Sequence, residues 1–338
     1  MKRRTIASLL AAVMVIGAAL ALTACGGGNE TSGGAEGSDT AKITIVQQYG
    51  MAYAPFQIME DQGLIEKAYE EATGKTVEVE YVQLNSGASI NESFASGDVD
   101  VGAMGVAPAI TGSLSGVGYK ICSNMSAQPH KIMTNDPSIK TLKDVGSEQI
   151  ALVNIGSIQH ILLAMATKEQ LGDAHALDEN ISAMAHPDGM AALLNGTVKL
   201  HLTTSPFTFK EEAEGMTEVE ALKSVWPEGN SFIVAVASEK LKEENPDLYQ
   251  AVVDSIGTAI DYLNNNTEEA AATLIDKGFV EDVDADTLVG WMNDPACVYS
   301  PELKGVMDMA NFMAEEGFLE VDGPESIADM AFDNVKGN

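Results

Sequence analysis

Residues 96–108 read SGDVDVGAMGVAP, and this stretch gives the strongest indication of the fold. Ser, Gly and Asp at its start are typical of a tight turn, and the apolar residues that follow predict a short buried strand over 99–103. Pro108 suits the first turn of a helix, where its missing N–H costs nothing. The stretch therefore predicts a turn, a strand and a helix in immediate succession.

The same alternation of strands and helices continues on both sides of this stretch. Alternating or continuous apolar runs predict further strands over 43–46, 77–82, 118–124, 132–133, 149–153, 198–202 and 231–237. Apolar residues at helical spacing predict helices, among them 55–63, 188–194, 285–292, 303–312 and a last one over 327–335. This order predicts an α/β fold whose sheets are mainly parallel and flanked by helices.

The first 25 residues are typical of a secretory leader that ends in a cysteine. Lys2, Arg3 and Arg4 precede an apolar run over 6–22, which is short for a membrane span, and LTAC follows at 22–25. The ending resembles the bacterial lipobox, and that resemblance implies that Cys25 is diacylated and becomes the first residue of the mature chain. The alternatives are an ordinary secretory leader with a chance cysteine and an uncleaved anchor. We expect a lipoprotein held at the extracytoplasmic face of the cell membrane.

Residues 26–41 follow the cysteine and contain no large apolar residue. A chain of this composition predicts a flexible linker that allows excursions of roughly 20–25 Å from the membrane surface. The folded part is expected to begin near residue 42. Roughly 300 residues then remain, which is enough for two domains that share a cleft.

Acidic residues dominate the charge of the chain. Fifty Asp and Glu against nineteen Lys and Arg give a formal net charge of −31, and the sequence contains no arginine after Arg4. Such a charge repels nucleic acid, so we expect no nucleic-acid partner. Without a guanidinium fork, an anionic ligand has to be held by lysine, histidine, hydroxyl groups or backbone N–H groups.

Several motifs besides residues 96–108 carry a family resemblance: Tyr49 with Pro55, GLI at 63–65, Ser86 with Gly87, KTLKDV at 140–145 and GSIQH at 156–160. Over about 43–209 their order resembles the nitrate/sulfonate/taurine-type substrate-binding proteins, which are the receptors of ABC importers and have relatives that handle thiamine precursors. The resemblance implies a two-lobed periplasmic-binding-protein fold of type II with a ligand cleft. Residues 42–130 plus 238–338 would form the first lobe and 131–237 the second. It also implies a monomer that works with an ABC permease and ATPase.

In such a fold the ligand lies outside the carboxyl ends of the strands, where loops of both lobes face each other. The predicted ligand-binding residues lie in or next to these loops: Tyr49, Ser86, Gly87, Gly105, Gly156, Ser157, His160, Thr204 and Ser205. Ser86 and Ser157 precede helices, whose free N–H groups bind anions, but each serine can equally cap its helix. Tyr49 either lies against the ligand or packs on the hinge, and His160 either reaches the cleft or has a packing role. His186 and His201 are weaker candidates.

Enzymatic motifs are not found in the sequence. It lacks a nucleophile elbow, a phosphate loop and a clustered Cys/His metal set, so we expect a binding protein without a cofactor or metal. Two alternatives stay open: a thiamine-precursor-related enzyme on the same scaffold, for which Cys122 and His130 are the nearest reactive pair, and a sensor subunit without a transport role. Cys122 and Cys297 either form a disulfide or are free thiols. The candidate solutes are sulfonates, nitrate, taurine, pyrimidine-like compounds and aromatic carboxylates.

Overall fold

Two mixed β-sheets flanked by helices organise residues 40–338, the part of the chain that this computed structural model describes. The predicted leader, the lipidation site Cys25 and most of the linker lie outside the described residues. The strands are β1 (Ala41–Gln47), β2 (Val77–Gln83), β3 (Val101–Gly105), β4 (Tyr119–Ala127), β5 (His130–Thr134), β6 (Ile150–Leu152), β7 (Ile181–Ala183), β8 (Leu200–Thr204), β9 (Thr217–Val219), β10 (Ile233–Ser238) and β11 (Val298–Tyr299).

The helices surround these strands and bury apolar faces against them. They are α1 (Ala54–Gln62), α2 (Leu64–Thr73), α3 (Gly87–Ser96), α4 (Val106–Leu114), α5 (Ile158–Leu171), α6 (His186–Leu194), α7 (Phe207–Ala213), α8 (Glu239–Glu244), α9 (Pro246–Asn265), α10 (Thr267–Asp276), α11 (Ala285–Met292) and α12 (Val306–Glu315). Within the described residues, no helix is both long and apolar enough to span a membrane.

The first sheet has the order β11-β4-β10-β3-β1-β2, and the second has the order β7-β6-β8-β5-β9. We name the first sheet with α1–α4 and α8–α12 the first lobe, and the second sheet with α5–α7 the second lobe. In the first sheet β1 pairs in parallel with β2 and β3, whereas β10 is antiparallel to both β3 and β4. In the second sheet β6 is parallel to β7 and β8, whereas β5 is antiparallel to β8 and β9.

These pairings correct the prediction of mainly parallel sheets. Strand β10 returns from the second lobe and inserts between β3 and β4, and β5 enters the second sheet next to β8. Each chain crossing therefore delivers a strand that runs against its neighbours, which local sequence patterns do not reveal.

The division into lobes at 42–130 plus 238–338 and 131–237 stays a prediction, but its second boundary needs a correction. A boundary at 237 would cut β10, which begins at Ile233 and pairs in the first sheet. The return crossing therefore lies before Ile233.

The predicted last helix over 327–335 is wrong. Only a 3₁₀ turn forms there, at Ile327–Asp329, and isolated bridges and a turn at residues 333–334 follow it. Bridges join Ala331 to Ile121 and Gly337 to Leu303. A methyl group added at Gly337 would lie 2.0 Å from the carbonyl oxygen of Leu303, so this tail packs backbone against backbone. Apolar residues in the tail therefore reflect packing along β4 rather than a helical face.

The helix predicted over 55–63 continues into a second helix that the sequence did not reveal. Gly63 adopts φ +57°, a left-handed conformation that ends α1, and α2 begins at the next residue. Glycine takes this conformation without the penalty that a Cβ brings. Both helices pack on the long helix α9, which places the turn between them at the outer side of the first lobe.

Candidate functional site

The loops predicted to bind the ligand lie at one edge of each sheet. Strands β1, β2 and β3 run in the same direction, so the loops after them share an edge of the first sheet. Strands β6, β7 and β8 likewise share an edge of the second sheet. The loop after β7 belongs to this edge and is missing from the prediction, because β7 has only three residues.

The two edges contact each other. A methyl group added at Gly105, where β3 ends, would lie 3.1 Å from Cγ2 of Ile158 at the start of α5. A methyl group added at Gly50, after β1, would lie 3.9 Å from Cδ of Pro206, after β8. Loops of the first lobe therefore lie directly against loops of the second, as expected for a cleft in its closed arrangement.

Ser86 and Gly87 both have structural roles at the start of α3. The Ser86 hydroxyl accepts a hydrogen bond from the backbone N–H of Ser89 at 3.1 Å, so it caps the helix. A methyl group at Gly87 would lie 2.5 Å from Cγ of Pro108, so only glycine allows α3 to approach α4 this closely. Ligand contact by either residue stays a prediction.

Gly156, Ser157 and His160 form one hydrogen-bonded turn. The Ser157 hydroxyl accepts from the backbone N–H of His160, and Nδ1 of His160 accepts from the N–H of Gly156 at 3.1 Å. Nε2 of His160 lies 3.5 Å from Oδ1 of Asp178, and the ring meets Phe318 of the first lobe edge-on. The ring is thus held at the rim between the lobes, but its buried Nε2 makes no hydrogen bond within residues 40–338. Contact of His160 with a ligand stays a prediction.

Tyr49 lies at the surface, where 66% of its side chain is exposed. Aromatic rings commonly line ligand clefts, but the Tyr49 ring is not buried against other side chains that would fix its position. Its role in binding stays a prediction, and a hinge-packing role does not fit its exposure.

Thr204 and Ser205 are buried where β8 meets α7. The hydroxyl of Ser205 donates to Oε1 of Gln128, which lies at the first chain crossing, and the hydroxyl of Thr204 has no partner within residues 40–338. A buried hydroxyl without a partner costs free energy, so such a group is a good candidate for ligand contact. The sequence did not indicate Gln128, because no local pattern distinguishes a glutamine in a segment that connects the two lobes.

A chain of hydrogen bonds runs behind the second-lobe edge. The Gln159 amide lies 3.3 Å from Nε2 of His186, and Nδ1 of His186 lies 3.1 Å from Nε2 of His201. Nδ1 of His201 lies 2.5 Å from Oε1 of Glu211, and both of these residues are fully buried. The two histidines that were weak candidates in the sequence are therefore joined to a carboxyl group on α7.

Burial sets the charge of this chain. It raises the pKa of Glu211 to about 8 and lowers the pKa values of His186 and His201 to about 3. Nε2 of His186 accepts from the amide nitrogen of Gln159, so its Nδ1 donates to Nε2 of His201, and Nδ1 of His201 donates to Oε1 of Glu211. At neutral pH Glu211 is protonated, and its proton lies on the buried Oε2. These hydrogen-bonded side chains, which reach Gln159 at the ligand edge, therefore have no net charge at neutral pH.

Contacts at two rims hold the lobes against each other. On one side the ring of Phe209 in α7 stacks on Trp291 in α11 with centroids 5.5 Å apart, and Nζ of Lys210 donates to the carbonyl oxygen of Glu281. On the other side Lys168 in α5 forms an ion pair with Glu316 at 3.0 Å. The contact between the lobes is therefore polar and aromatic at its edges.

The two cysteines in the described part of the chain are packed in its interior. Cys122 and Cys297 are buried free thiols, which settles the open question of a disulfide. Burial raises the pKa of each thiol to about 12, so neither is a thiolate at neutral pH. No group of three or more His, Cys, Asp or Glu among residues 40–338 is placed to hold a metal ion.

Sequence comparison assigns the chain to a family. Residues 34–276 match the NMT1-like family. The chain belongs to the NMT1-like family. Curated protein sequences give no match. The predicted resemblance to substrate-binding proteins is confirmed at the level of the fold.

Solved structures show the same fold at low sequence identity. The periplasmic aliphatic sulphonate binding protein SsuA from Escherichia coli has a TM-score of 0.66 at 19% identity, over 87% of this chain and 93% of that chain. The alkanesulfonate-binding protein SsuA from Xanthomonas axonopodis pv. citri bound to MOPS has a TM-score of 0.68 at 15% identity, over 88% and 99%. A Candida albicans protein described as having the generic periplasmic binding protein fold has a TM-score of 0.64 at 16% identity, over 87% and 96%. This NMT1-like chain therefore has the predicted periplasmic-binding-protein fold.

Proposed function

We propose that this NMT1-like chain is a solute receptor that captures a small molecule between its lobes and delivers it to an ABC importer. The contact of Gly105 with Ile158 carries the proposal, because it brings together the edges where ligands bind in α/β sheets. The two SsuA structures are named as sulfonate-binding proteins, and this supports the same role. A ligand held by both edges would stabilise the closed arrangement.

The polar groups at the edges favour a solute with little net charge. Thr204 offers a hydroxyl, Gln128 and Gln159 offer amides, and the His186–His201–Glu211 chain is neutral at pH 7. The mature chain has no arginine to grip an oxyanion. Neutral, zwitterionic or heteroaromatic solutes therefore fit better than strong oxyanions. Nitrate, taurine and other sulfonates stay candidates because helix N-termini also bind anions.

The receptor would work outside the cytoplasm, anchored through a lipid on Cys25. The leader and lipobox support this location, and the names of the relatives that are periplasmic proteins agree with it. An ABC permease and ATPase are the proposed partners. A sensor subunit would share all of these properties and differ only in its membrane partner. The enzyme alternative loses support because the Cys122 thiol stays protonated at neutral pH.

A binding screen tests the proposal. Residues 26–338 are purified and the thermal midpoint is measured with sulfonates, taurine, nitrate, aromatic carboxylates and pyrimidines, since a ligand of the folded state raises it. Thr204→Val should weaken binding of the active compound at least tenfold, while the control Thr167→Val, which removes a buried hydroxyl that bonds within α5, should leave it unchanged. Equal losses in the two variants would argue against a ligand at this edge.

Membrane attachment is tested in the full-length chain. Cys25→Ser should release the protein from the membrane fraction and prevent incorporation of labelled fatty acid, whereas wild type retains both. Continued attachment of the serine variant would favour an uncleaved anchor.

A further inference from the structure

The amide of Gln159 lies where two helices begin at the ligand edge of the second lobe. Helix α5 starts at Ile158 and α6 starts at His186, and the parallel strands β6 and β7 before them end at that edge. The hydrogen bond of 3.3 Å between Nε2 of Gln159 and Nε2 of His186 joins the first turns of the two helices. The neighbouring Ile158 packs against Gly105 of the first lobe, so the amide lies close to where the two ligand edges meet.

Only one direction of hydrogen bonding fits the position of the Gln159 amide nitrogen. This nitrogen donates and cannot accept, so Nε2 of His186 carries no proton. The single proton of each neutral ring is then on Nδ1, and the hydrogen bonds run from His186 to His201 and from His201 to Glu211. Every donor in this series therefore points away from the ligand edge.

The ionisation of Glu211 does not reverse this direction. Oε1 accepts from His201 both when the carboxyl is ionised and when its proton is on Oε2. The reverse direction would need a proton on Oε1, protons on Nε2 of both rings and the oxygen of Gln159 turned toward His186. A carboxyl group at the end of the series therefore favours an amide whose nitrogen, and not its oxygen, faces His186.

Packing holds both histidine rings in this arrangement. The ring of Phe207 in α7 stacks on His186 with centroids 5.5 Å apart. A methyl group added at Gly189 in α6 would lie 2.6 Å from Nε2 of His201, so the backbone of this helix lies directly against the second ring. The acceptor that holds the Gln159 amide is therefore itself fixed by neighbours on two helices.

The oxygen of the Gln159 amide is left without a donor. Oε1 makes no hydrogen bond within residues 40–338, and it is not sealed from solvent as the Thr204 hydroxyl is. Only 4% of the Gln159 residue is exposed, so little space is left around this oxygen for bulk water. A nearly buried carbonyl oxygen without a partner costs free energy, which a donor on a bound solute would recover.

We propose that Gln159 determines solute specificity by presenting Oε1 as a fixed acceptor, so that the solute places an N–H or O–H donor against it. This inference rests on the proposed receptor function. His186, His201 and Glu211 are positioning residues, because they hold the amide nitrogen away from the solute. Nitrate and the oxygens of a sulfonate offer no donor, so a solute that carries only such groups is disfavoured at this position.

The first test needs no solute. NMR of the ¹⁵N-labelled protein without its leader distinguishes the two tautomers of each neutral imidazole at pH 7. His186 and His201 should both carry the proton on Nδ1, whereas His160, whose Nδ1 accepts a backbone hydrogen bond, should show the opposite tautomer. Contacts with the protons of Phe207 and Gly189 assign the two rings. Protons on Nε2 of both His186 and His201 would overturn the proposal, because the amide would then turn its nitrogen toward the solute.

The second test compares probes in which a donor is replaced by a methyl group of similar size. The pairs are isethionate against propanesulfonate, 4-aminobenzoate against 4-methylbenzoate, and 4-aminopyrimidine against 4-methylpyrimidine. In a pair that binds, the donor-bearing member should bind at least tenfold tighter to wild type. Gln159→Met should abolish this preference, whereas Gln170→Met, which removes an amide at the other end of α5, should keep it.

The outcomes separate this inference from the proposed function. Equal affinity for both members of every pair that binds, or a preference that Gln159→Met leaves intact, would overturn the proposal. Failure of all probes to bind, with Nδ1 protonated in both rings, would count against the receptor function, while the NMR result would still support the orientation of the Gln159 amide.

Discussion

His175 of the second lobe lies 2.9 Å, through Nε2, from the carbonyl oxygen of Glu316 in the first lobe. Its other ring nitrogen lies 2.8 Å from Oδ2 of Asp178, and Phe318 stacks on the ring with centroids 4.7 Å apart. Both partners are acceptors, and a neutral imidazole can donate only once. The contact between the lobes is therefore complete only when His175 is protonated.

The first prediction concerns the pH dependence of this contact. Hydrogen bonds to the carbonyl of Glu316 and to Asp178 raise the pKa of His175 above its ordinary 6.5. A raised pKa means that the stabilisation is fully present below the unfolded value and is lost as pH rises through the folded one. Wild type should therefore lose thermal stability as the pH rises above 6.5, and His175→Asn should flatten this part of the profile.

The surroundings of His175 define the control for that experiment. Asp173, Asp178, Lys168, Glu316 and the ring of His160, whose pKa burial lowers, are the titratable groups near it. Lys42→Gln removes an exposed ion pair with Glu78 and no histidine, so its profile should parallel wild type. An unchanged slope in His175→Asn would show that another group controls this pH range.

A second prediction follows from the neutral state of Glu211. A protonated carboxyl resembles the amide of glutamine, so Glu211→Gln should cost within about 1 kcal/mol of unfolding free energy at pH 6, whereas Glu211→Ala should cost about 2–4 kcal/mol. Because the pKa of Glu211 is raised to about 8, wild type loses stability as pH rises toward that value and the glutamine variant does not. Urea unfolding at pH 6 and pH 9 measures both effects. Equal costs of the two variants at pH 6 would mean that Glu211 is ionised and paired with a protonated His201.

The third prediction concerns closure at Gly105. Valine there would place methyl groups inside the contact with Ile158, which a single Cβ already reaches at 3.1 Å. Gly105→Val should therefore hold the lobes apart, raise the radius of gyration in X-ray scattering and weaken solute binding at least tenfold.

Two further variants separate closure from folding. Ile158→Ala in the Gly105→Val background should restore part of the compact shape. Gly257→Ala lies on α9 with nothing within 4 Å of the added Cβ, so it should leave shape and binding unchanged. A compact Gly105→Val variant with normal affinity would exclude this contact from closure.

The fourth prediction concerns the thiols. Cys122 and Cys297 are buried and protonated, so Ellman's reagent should react with neither in native residues 26–338 and with both after unfolding. Reducing agents should not change the thermal midpoint. Fast reaction in the native state would indicate local opening near α9 or the hinge.

Local sequence patterns predicted most of the helices and strands, because the formation of these elements depends on residues that are close in sequence. The strand and helix around residues 96–108 are confirmed as β3 and α4, with both ends of the strand two residues later than predicted. The position of β10 inside the first sheet was not predictable, since it depends on pairing with strands more than a hundred residues away.

The candidate site was predictable at the level of loops rather than of side chains. Gly105 and the turn at Gly156 lie at the two edges that meet, as the resemblance implied. His186, His201 and Glu211 come together only because α6, β8 and α7 pack against one another. One local signal was available: His186 precedes Pro187, which is typical of a helix start at the end of a strand.

The central position of β10 also dictates an order of assembly. Strands β3 and β4 do not pair with each other, so the first sheet stays in two pieces until residues 233–238 have been synthesised and have returned from the second lobe. The tail that bridges to Ile121 and Leu303 arrives last of all. A chain still being synthesised is therefore unable to join the two halves of its largest sheet until residue 238 has emerged, which makes this sheet a late product of folding.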